Sequence, residues 1–213
     1  MGQRRPCHRR RRRRRVQLEA RAHAGCDGRS DSLFRLAFAA YLVEALCDVA
    51  LAWLLYILLR PVHQNLSLLA AFLGLVSTAV YAVAELFYFA ALLILKGGTD
   101  YLKAFSPDQV HGLAFLSLTL FNYGGGLFFV FYGVASILRG YLIFRSGYLP
   151  RFLGVLVALG GVGFVVLNFA LVLAPAYASD ILLLPMILAL VAMTAWLLAR
   201  GVDIPKWEAK AAT

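Results

Sequence analysis

The sequence predicts an all-α membrane protein, a polytopic bundle of five transmembrane helices. Three observations predict it. Residues 33 to 199 are almost unbroken hydrocarbon, interrupted only by short polar gaps. Charged residues are 15% of the chain, against about 25% in a soluble domain, and the mean hydropathy is +0.76. Five stretches are each long enough to cross a bilayer as a helix, which takes roughly 20 apolar residues.

Span one runs from Leu36 to Leu59 and stops at Arg60-Pro61. Span two runs from Leu66 to Leu95 and stops at Lys96-Gly97-Gly98. Its length implies tilt, or extension beyond the lipid. Span three runs from Gly112 to Leu138, with Arg139 at its end and a continuation toward Phe144. Span four runs from Phe152 to Ala174 and opens at Pro150, at a helix start where a missing N–H costs nothing. Span five runs from Leu182 to Ala199 and ends at Arg200-Gly201, with Pro185 tolerated in its first turn. The longest gap is Gly97 to His111. Within it Ser106-Pro107-Asp108-Gln109 reads as a capping box with proline at the first helical position. That start implies an interfacial turn of helix, with Tyr101 and Phe105 at the lipid headgroups. The other loops are short, so consecutive helices are expected as antiparallel neighbours.

Gly126, Gly133 and Gly140 recur every seven residues along span three and share one face. Small residues there let a second helix approach closely, within the chain or between protomers of a homo-oligomer. Span four carries Gly160, Gly161 and Gly163. Helix packing is the reading for these, because no strand precedes them and no Lys-Ser/Thr follows, as a phosphate loop requires.

The chain divides into an Arg-rich tail (1–31), a membrane domain (32–202) and a short cytoplasmic C-terminal tail (203–213). The net charge of +10 belongs to the first of these. Residues 1–30 hold eleven arginines, seven of them consecutive from Arg9 to Arg15, against Glu19 and Asp27. The rest holds ten Lys/Arg against nine Asp/Glu, which leaves +1. Cys7, Cys26 and Cys47 have no disulfide or zinc spacing, and Cys47 reads as a small buried apolar residue. No signal peptide is recognisable, since no short apolar core with a cleavage site follows the charges.

Positive charge marks the cytoplasmic side of a membrane protein. Arg60, Arg139, Arg145, Arg151, Arg200, Lys206 and Lys210 fall on one face, against Arg35, Lys96 and Lys103 on the other. The loops therefore place the C-terminus in the cytoplasm. The arginine tail, directly ahead of span one, asks for the opposite orientation. One more helix before span one would reconcile the two.

From Ser32 onward the chain carries SLFRLAF (Ser32–Phe38), CDVALAWLLYILLRPV (Cys47–Val62), NLSLLAAF (Asn65–Phe72), DYLKAFSPDQ (Asp100–Gln109), RGYLIFRSGYLPRFLGVL (Arg139–Leu156) and WLLARGVDIPKW (Trp196–Trp207). In this collinear order, over about 180 residues, it resembles the bacterial membrane family catalogued as domain of unknown function 4386. The resemblance implies six helices, with one ahead of the Ser-Leu-Phe-Arg motif where this chain has its arginines. A truncated or incorrect start is the expected account of the tail, ahead of a basic tail on anionic lipid. The family pattern also has His-Ser-Tyr-Gly-Tyr in span three, where this chain reads Phe121-Asn122-Tyr123-Gly124-Gly125, and an acid in the last span, near Leu190 here. The family carries no assigned function.

Intramembrane carboxylates are costly and usually functional. Glu44 and Asp48 are four apart and share a face of span one. Glu85 lies in span two, Asn122 in span three and Asn168 in span four. At about 1.5 Å per residue, Asp48 falls near mid-membrane, and the other four lie about 5–8 Å toward the external face. With no Lys or Arg read inside the spans, each carboxylate is expected to be protonated, hydrogen-bonded or facing a wet cavity. The expectation is a polar layer, open externally, that binds or passes a proton, a cation or a small polar molecule. The alternatives are interhelical hydrogen bonding in a non-catalytic scaffold or accessory subunit, and a small lipid-acting enzyme using Glu44 or Asp48.

No Ser-His-Asp, HExxH or P-loop pattern is present, so no catalytic set is assigned, and no metal or cofactor is expected. His63 and His111 lie at span ends, not facing one another within the bundle as haem ligation would require. Membrane lipid is the expected partner, and nucleic acid is not. Trp53, Tyr56, Tyr141, Phe144, Tyr148, Tyr177 and Trp196 read as lipid-facing bulk or interface belts, and Trp207 as a headgroup anchor. The expected location is a bacterial inner membrane.

Overall fold

A computed structural model of the chain describes residues 7–95, 105–174 and 179–212. For residues 7–31, 34 and 180 it describes the helix backbone alone. The elements are α1 (Cys7–Leu59), α2 (Gln64–Leu95), α3 (Pro107–Ser146), α4 (Arg151–Leu173), a 3₁₀ turn (Asp180–Leu183), α5 (Leu184–Ala199) and α6 (Ile204–Ala211). No strand occurs among the described residues. Among the described residues, five helical segments are long and apolar enough to cross a membrane: Arg35–Leu59, Gln64–Leu95, Pro107–Ser146, Arg151–Leu173 and Ile181–Ala199.

Each helix starts and stops where local chemistry dictates. Ser106 caps α3: its hydroxyl accepts from the Gln109 N–H at 3.4 Å, and the Gln109 side chain accepts from the Ser106 N–H at 2.9 Å. This reciprocal box serves two orphan donors at once. Gly147 ends α3 with φ 77°, a left-handed cap that glycine adopts without a Cβ penalty. Arg60-Pro61 ends α1, and Pro185 sits in the first turn of α5. The α1 backbone is helical from Cys7, through the Arg-rich segment. Arginine, alanine and leucine are good helix formers, which favours that continuation.

The spans run as antiparallel neighbours in chain order, α1 on α2, α2 on α3, α3 on α4 and α4 on α5. The α3–α4 contact is made by glycine on glycine. A Cβ on Gly133 would stand 2.8 Å from the Gly161 carbonyl, and one on Gly140 would stand 2.6 Å from the Gly154 carbonyl. Gly126 faces Asn168 at the same interface. The seven-residue glycine face of α3 is therefore packed against α4 of the same chain. Gly160 and Gly163 continue the theme against Met186 of α5 and Leu182 of the 3₁₀ turn.

One end of the bundle is closed by a cluster of Leu59, Leu142, Ile143, Tyr148, Leu149 and Leu153. Trp207 of α6 packs against it, and its indole N–H donates to the Leu58 carbonyl at 3.1 Å. Tyr148 donates to that same carbonyl. The C-terminal segment is thus a short docked helix, and Trp207 is a packed hydrogen-bond donor where the sequence suggested a headgroup anchor. Lys210 donates to the Arg145 and Ser146 carbonyls at 2.8 and 3.2 Å, satisfying acceptors that the end of α3 leaves open. Burial pushes the Tyr148 phenol well above its usual range, and the Lys206 ammonium bonded to Asp203 holds that carboxyl below its own. Tyr148 is therefore core, not belt. Cys47 faces outward, contrary to the buried residue expected from its type.

Candidate functional site

The first three spans carry matching stripes. Tyr41, Glu44 and Asp48 follow at intervals of three and four on α1, and Tyr81, Glu85 and Tyr88 at intervals of four and three on α2. Both spacings hold three side chains on one helix face. Opposite them α3 presents Phe121, Phe128 and Tyr132. The approach of α3 to α2 depends on Gly124, where a Cβ would stand 2.5 Å from the Cβ of Ala84. Glu85 is the next residue along, so that close contact fixes its depth.

Aromatic rings join the stripes. Tyr41 lies 6.1 Å from Tyr81 and 5.6 Å from Tyr88, centroid to centroid, with edges turned to faces. Phe121 closes the group at 5.4 Å from Tyr88 and 6.2 Å from Tyr81. Phe128 continues it at 4.9 Å from Tyr81 and 5.3 Å from Tyr132. These spacings are those of productive aromatic pairs. The rings of Tyr41, Tyr81, Tyr88 and Phe121 are all half-buried, so the group is packed inward and open on one side.

Glu85 lies at the base of this group. It is 1% exposed, and neither carboxylate oxygen has a hydrogen-bond partner. Glu44 is exposed at the rim, and the two carboxyls are close enough to repel one another. An ionised carboxylate in such a place lacks a hydrogen bond to offset its lost hydration, which costs several kcal/mol even after relaxation.

Toward the closed end the seam changes character. Asp48, Leu51, Ala52, Gly74, Thr78, Tyr132 and Arg139 line a partly open cavity of about 10 Å³, close to the space that one water needs. Arg139 is 7% exposed; its guanidinium donates to the Ala70 carbonyl at 3.4 Å and stands 5.7 Å from the centre of the Tyr132 ring. Gly74 makes the seat, because a Cβ there would overlap the Arg139 Nη2. The Gly74 carbonyl is occupied by the Ser77 and Thr78 hydroxyls at 2.6 and 3.1 Å. Its position after an apolar run predicts Arg139 at the end of span three. It lies instead about two turns inside α3, which continues to Ser146, and it is a buried cation within the helix bundle. The charge count on the C-terminal face drops from seven to six, and Lys96, Lys103, Tyr101 and Tyr177 lie outside the described residues.

Of the five polar residues singled out in sequence, the structure brings Glu44, Asp48 and Glu85 to one seam. Asn168 is buried at the α3–α4 interface and spends its amide on the Phe164 carbonyl one turn back, at 2.9 Å. Asn122 is exposed on α3, one residue beyond Phe121. Neither asparagine is joined to the carboxylates by a hydrogen bond described here. Sequence reasoning missed Arg139, Tyr41, Tyr81, Tyr88 and Tyr132. The three-and-four spacing of Tyr81, Glu85 and Tyr88 around a single acid was the available signal. Among the described residues no three His, Cys, Asp or Glu side chains gather closely enough to hold a metal ion.

The family model for the domain of unknown function DUF4386 matches residues 16–201. The match begins within the arginine-rich segment, ahead of Ser32. An uncharacterized protein of the archaeon Archaeoglobus fulgidus is 29% identical over 120 residues, covering 56% of this chain. The aligned region spans 57% of that relative's length. A protein similar to this one therefore occurs outside bacteria. No solved structure matches the chain. The chain belongs to the DUF4386 family.

Proposed function

We propose that this DUF4386 protein binds and exchanges a proton, with any small polar species coupled to it, at the seam between α1, α2 and α3. One observation carries the reading: Glu85 is buried in an apolar helix with both oxygens unpartnered. Intramembrane acids of that kind mark proton and ion pathways. Glu85 is the proton-holding group in this reading. Glu44 stands at the exposed rim, as the step between Glu85 and the outside. Asp48 and Arg139 put opposite charges on the walls of one small cavity at the inner end of the seam, with room for about one water between them. The chain sits in a cytoplasmic membrane. Arg60, Arg145 and Arg151 then lie on the cytoplasmic side, in keeping with the positive-inside rule.

The test is infrared difference spectroscopy of the full chain in lipid, recorded across a pH series. The wild type shows a protonated-carboxyl band that appears with acidification and is missing from Glu85→Gln. A wild-type spectrum in which the Glu85→Gln substitution removes no titrating band sinks the proposal.

A further inference from the structure

We propose that the groove between the end of α1 and the start of α6 holds one acyl chain of an anionic phospholipid, with the headgroup phosphate on Arg60. This site is separate from the seam of the first three spans and does not rest on the proton reading.

The groove follows from how α6 is placed. Gly201, with φ 65°, turns the chain after α5, and the Asp203 carboxylate starts α6 by accepting from the Lys206 N–H at 3.3 Å. Trp207 then reaches span one, where the Leu58 carbonyl accepts from its indole at 3.1 Å. Beside that contact lies a cavity of about 320 Å³, lined by Leu54, Ile57, Leu58, Val202, Ile204 and Trp207. Sites for small molecules begin at about 300 Å³. Leu58, Val202 and Trp207 pack on the closed-end cluster and form the floor. Leu54 and Ile204, each 61% exposed, form the lips.

The lining selects hydrocarbon. Its side chains are apolar apart from the Trp207 N–H, and that donor is spent on Leu58. A polar ligand finds no side-chain partner there. An acyl chain needs none, and lipid is the solvent of this face. The groove also lies at the right depth. Leu54 stands about 9 Å from Arg60 along span one, at 1.5 Å per residue, so the cavity runs from the end of the span into the hydrocarbon.

The lip selects charge. The Arg60 N–H donates to the Tyr56 carbonyl at 2.9 Å, which continues the helix, so Arg60 follows Ile57 by one turn on the same face. Its side chain is exposed and forms no ion pair among the described residues. Arg200, two residues before Val202, stands 5.3 Å from the centre of the Trp196 ring and adds positive potential. Lys206 is closed on Asp203 at 2.6 Å. Glu208, one turn beyond Ile204, is the opposing charge. Two arginines against one acid favour an anionic headgroup over a zwitterionic one, as in basic pockets that recognise lipid phosphate.

Trp207 lines the groove and reports what fills it. Trp53→Phe with Trp196→Phe leaves Trp207 as the single tryptophan of the full chain. This parent is placed in phosphatidylcholine vesicles containing equal mole fractions of either phosphatidylglycerol or phosphatidylcholine brominated in one acyl chain. Bromine quenches indole fluorescence at short range. Stronger quenching by the phosphatidylglycerol is expected, equivalent to about fivefold tighter binding, the worth of one arginine at a lipid surface. Arg60→Gln should make the two lipids equal. Arg145→Gln, at the same end but bonded to Tyr141, should leave the preference intact, which separates a site from diffuse attraction. The arginine-rich segment is the same in every variant and lies at the far end of α1. A melting curve accompanies each variant. Should Arg60→Gln not fold, Ile204→Asp on the exposed lip takes its place and should likewise remove the preference. Equal quenching in the parent, a preference that survives Arg60→Gln, or one that Arg145→Gln abolishes overturns the inference. A Trp207 shielded from both brominated lipids assigns the groove to a second copy of the chain and overturns it as well.

Discussion

The α3–α4 interface and the α1–α2–α3 seam lie on opposite sides of α3, and they are built from opposite materials. Between α3 and α4 there is glycine against glycine, close enough that an added Cβ meets backbone at 2.6–2.8 Å. Between α3 and the first two spans there are rings, carboxyls, a guanidinium and a cavity. In lipid, helices gain nothing from hiding hydrocarbon, so close van der Waals contact is what holds the first interface. The second holds groups that hydrocarbon penalises, and it is organised to offset that penalty in one place and leave it standing in another. Asp48 and Arg139 face one small cavity with opposite charges. Glu85 has no hydrogen bond to either oxygen. The comparison separates a joint from a site.

The largest way to break the contrast is to unbalance the charged end of the seam. Arg139→Met removes the guanidinium and leaves Asp48 without its counter-charge. Destabilisation of about 2–3 kcal/mol is expected, from the lost hydrogen bond of a buried charged donor to the Ala70 carbonyl and its lost attraction to Asp48. Asp48→Asn combined with Arg139→Met should recover much of it in thermal melts.

Overfilling the joint comes next. Gly140→Val drives side-chain carbons into Gly154 and Ala158, and overpacking of this kind costs about 1–3 kcal/mol or more. Melting should fall in step with activity, because nothing but packing is touched. Unchanged melting would mean that the two helices can move apart.

Glu85→Gln sharpens the comparison from the other side. It keeps shape and removes charge, so stability should change by less than about 1–2 kcal/mol or rise, since an amide is cheaper to bury than an unpaired carboxylate. Function should vanish all the same. A variant as unstable as Gly140→Val would place Glu85 with the joint instead.

The smallest effect belongs to α6. The Lys206 hydrogen bond depresses the Asp203 carboxyl, so the stabilisation is complete above the usual carboxylate range and disappears as pH falls through the lowered value. Protonation also weakens the helix cap that Asp203 provides to the Lys206 N–H. Hydrogen exchange of the α6 amides should accelerate at acid pH in the wild type, and Asp203→Ala should show that faster exchange already at neutral pH.

Most of the skeleton is legible in the residues. Hydrocarbon runs mark the spans, the Ser106 box marks the start of α3, and the seven-residue glycine spacing marks the face that α4 fills. Three of the seam's acids are legible too, as charges where none is cheap. What the residues conceal is direction. Spans such as α2 and α4 are apolar on nearly every side, so no polar face announces which way Tyr81, Tyr88 or Asn168 will turn. Arg139 was hidden for a related reason. The first charge after an apolar run reads as the end of a helix, whereas the Gly74 seat lets that charge enter the bundle. Asn168 shows the converse, a polar residue at plausible depth whose amide is already satisfied by its own helix.

The doubly accepted carbonyl of Leu58 has a mechanical consequence. Two donors from separate connecting segments, Tyr148 and Trp207, rivet the end of span one to the closed end of the molecule. A rod fastened at one end pivots there. Asp48 stands roughly 15 Å along that rod and Glu44 roughly 21 Å, at 1.5 Å per residue. Any swing of the first span therefore displaces the rim carboxyl further than the charge pair, so the stretch of leverage falls where the seam opens to lipid and the fulcrum where it is sealed.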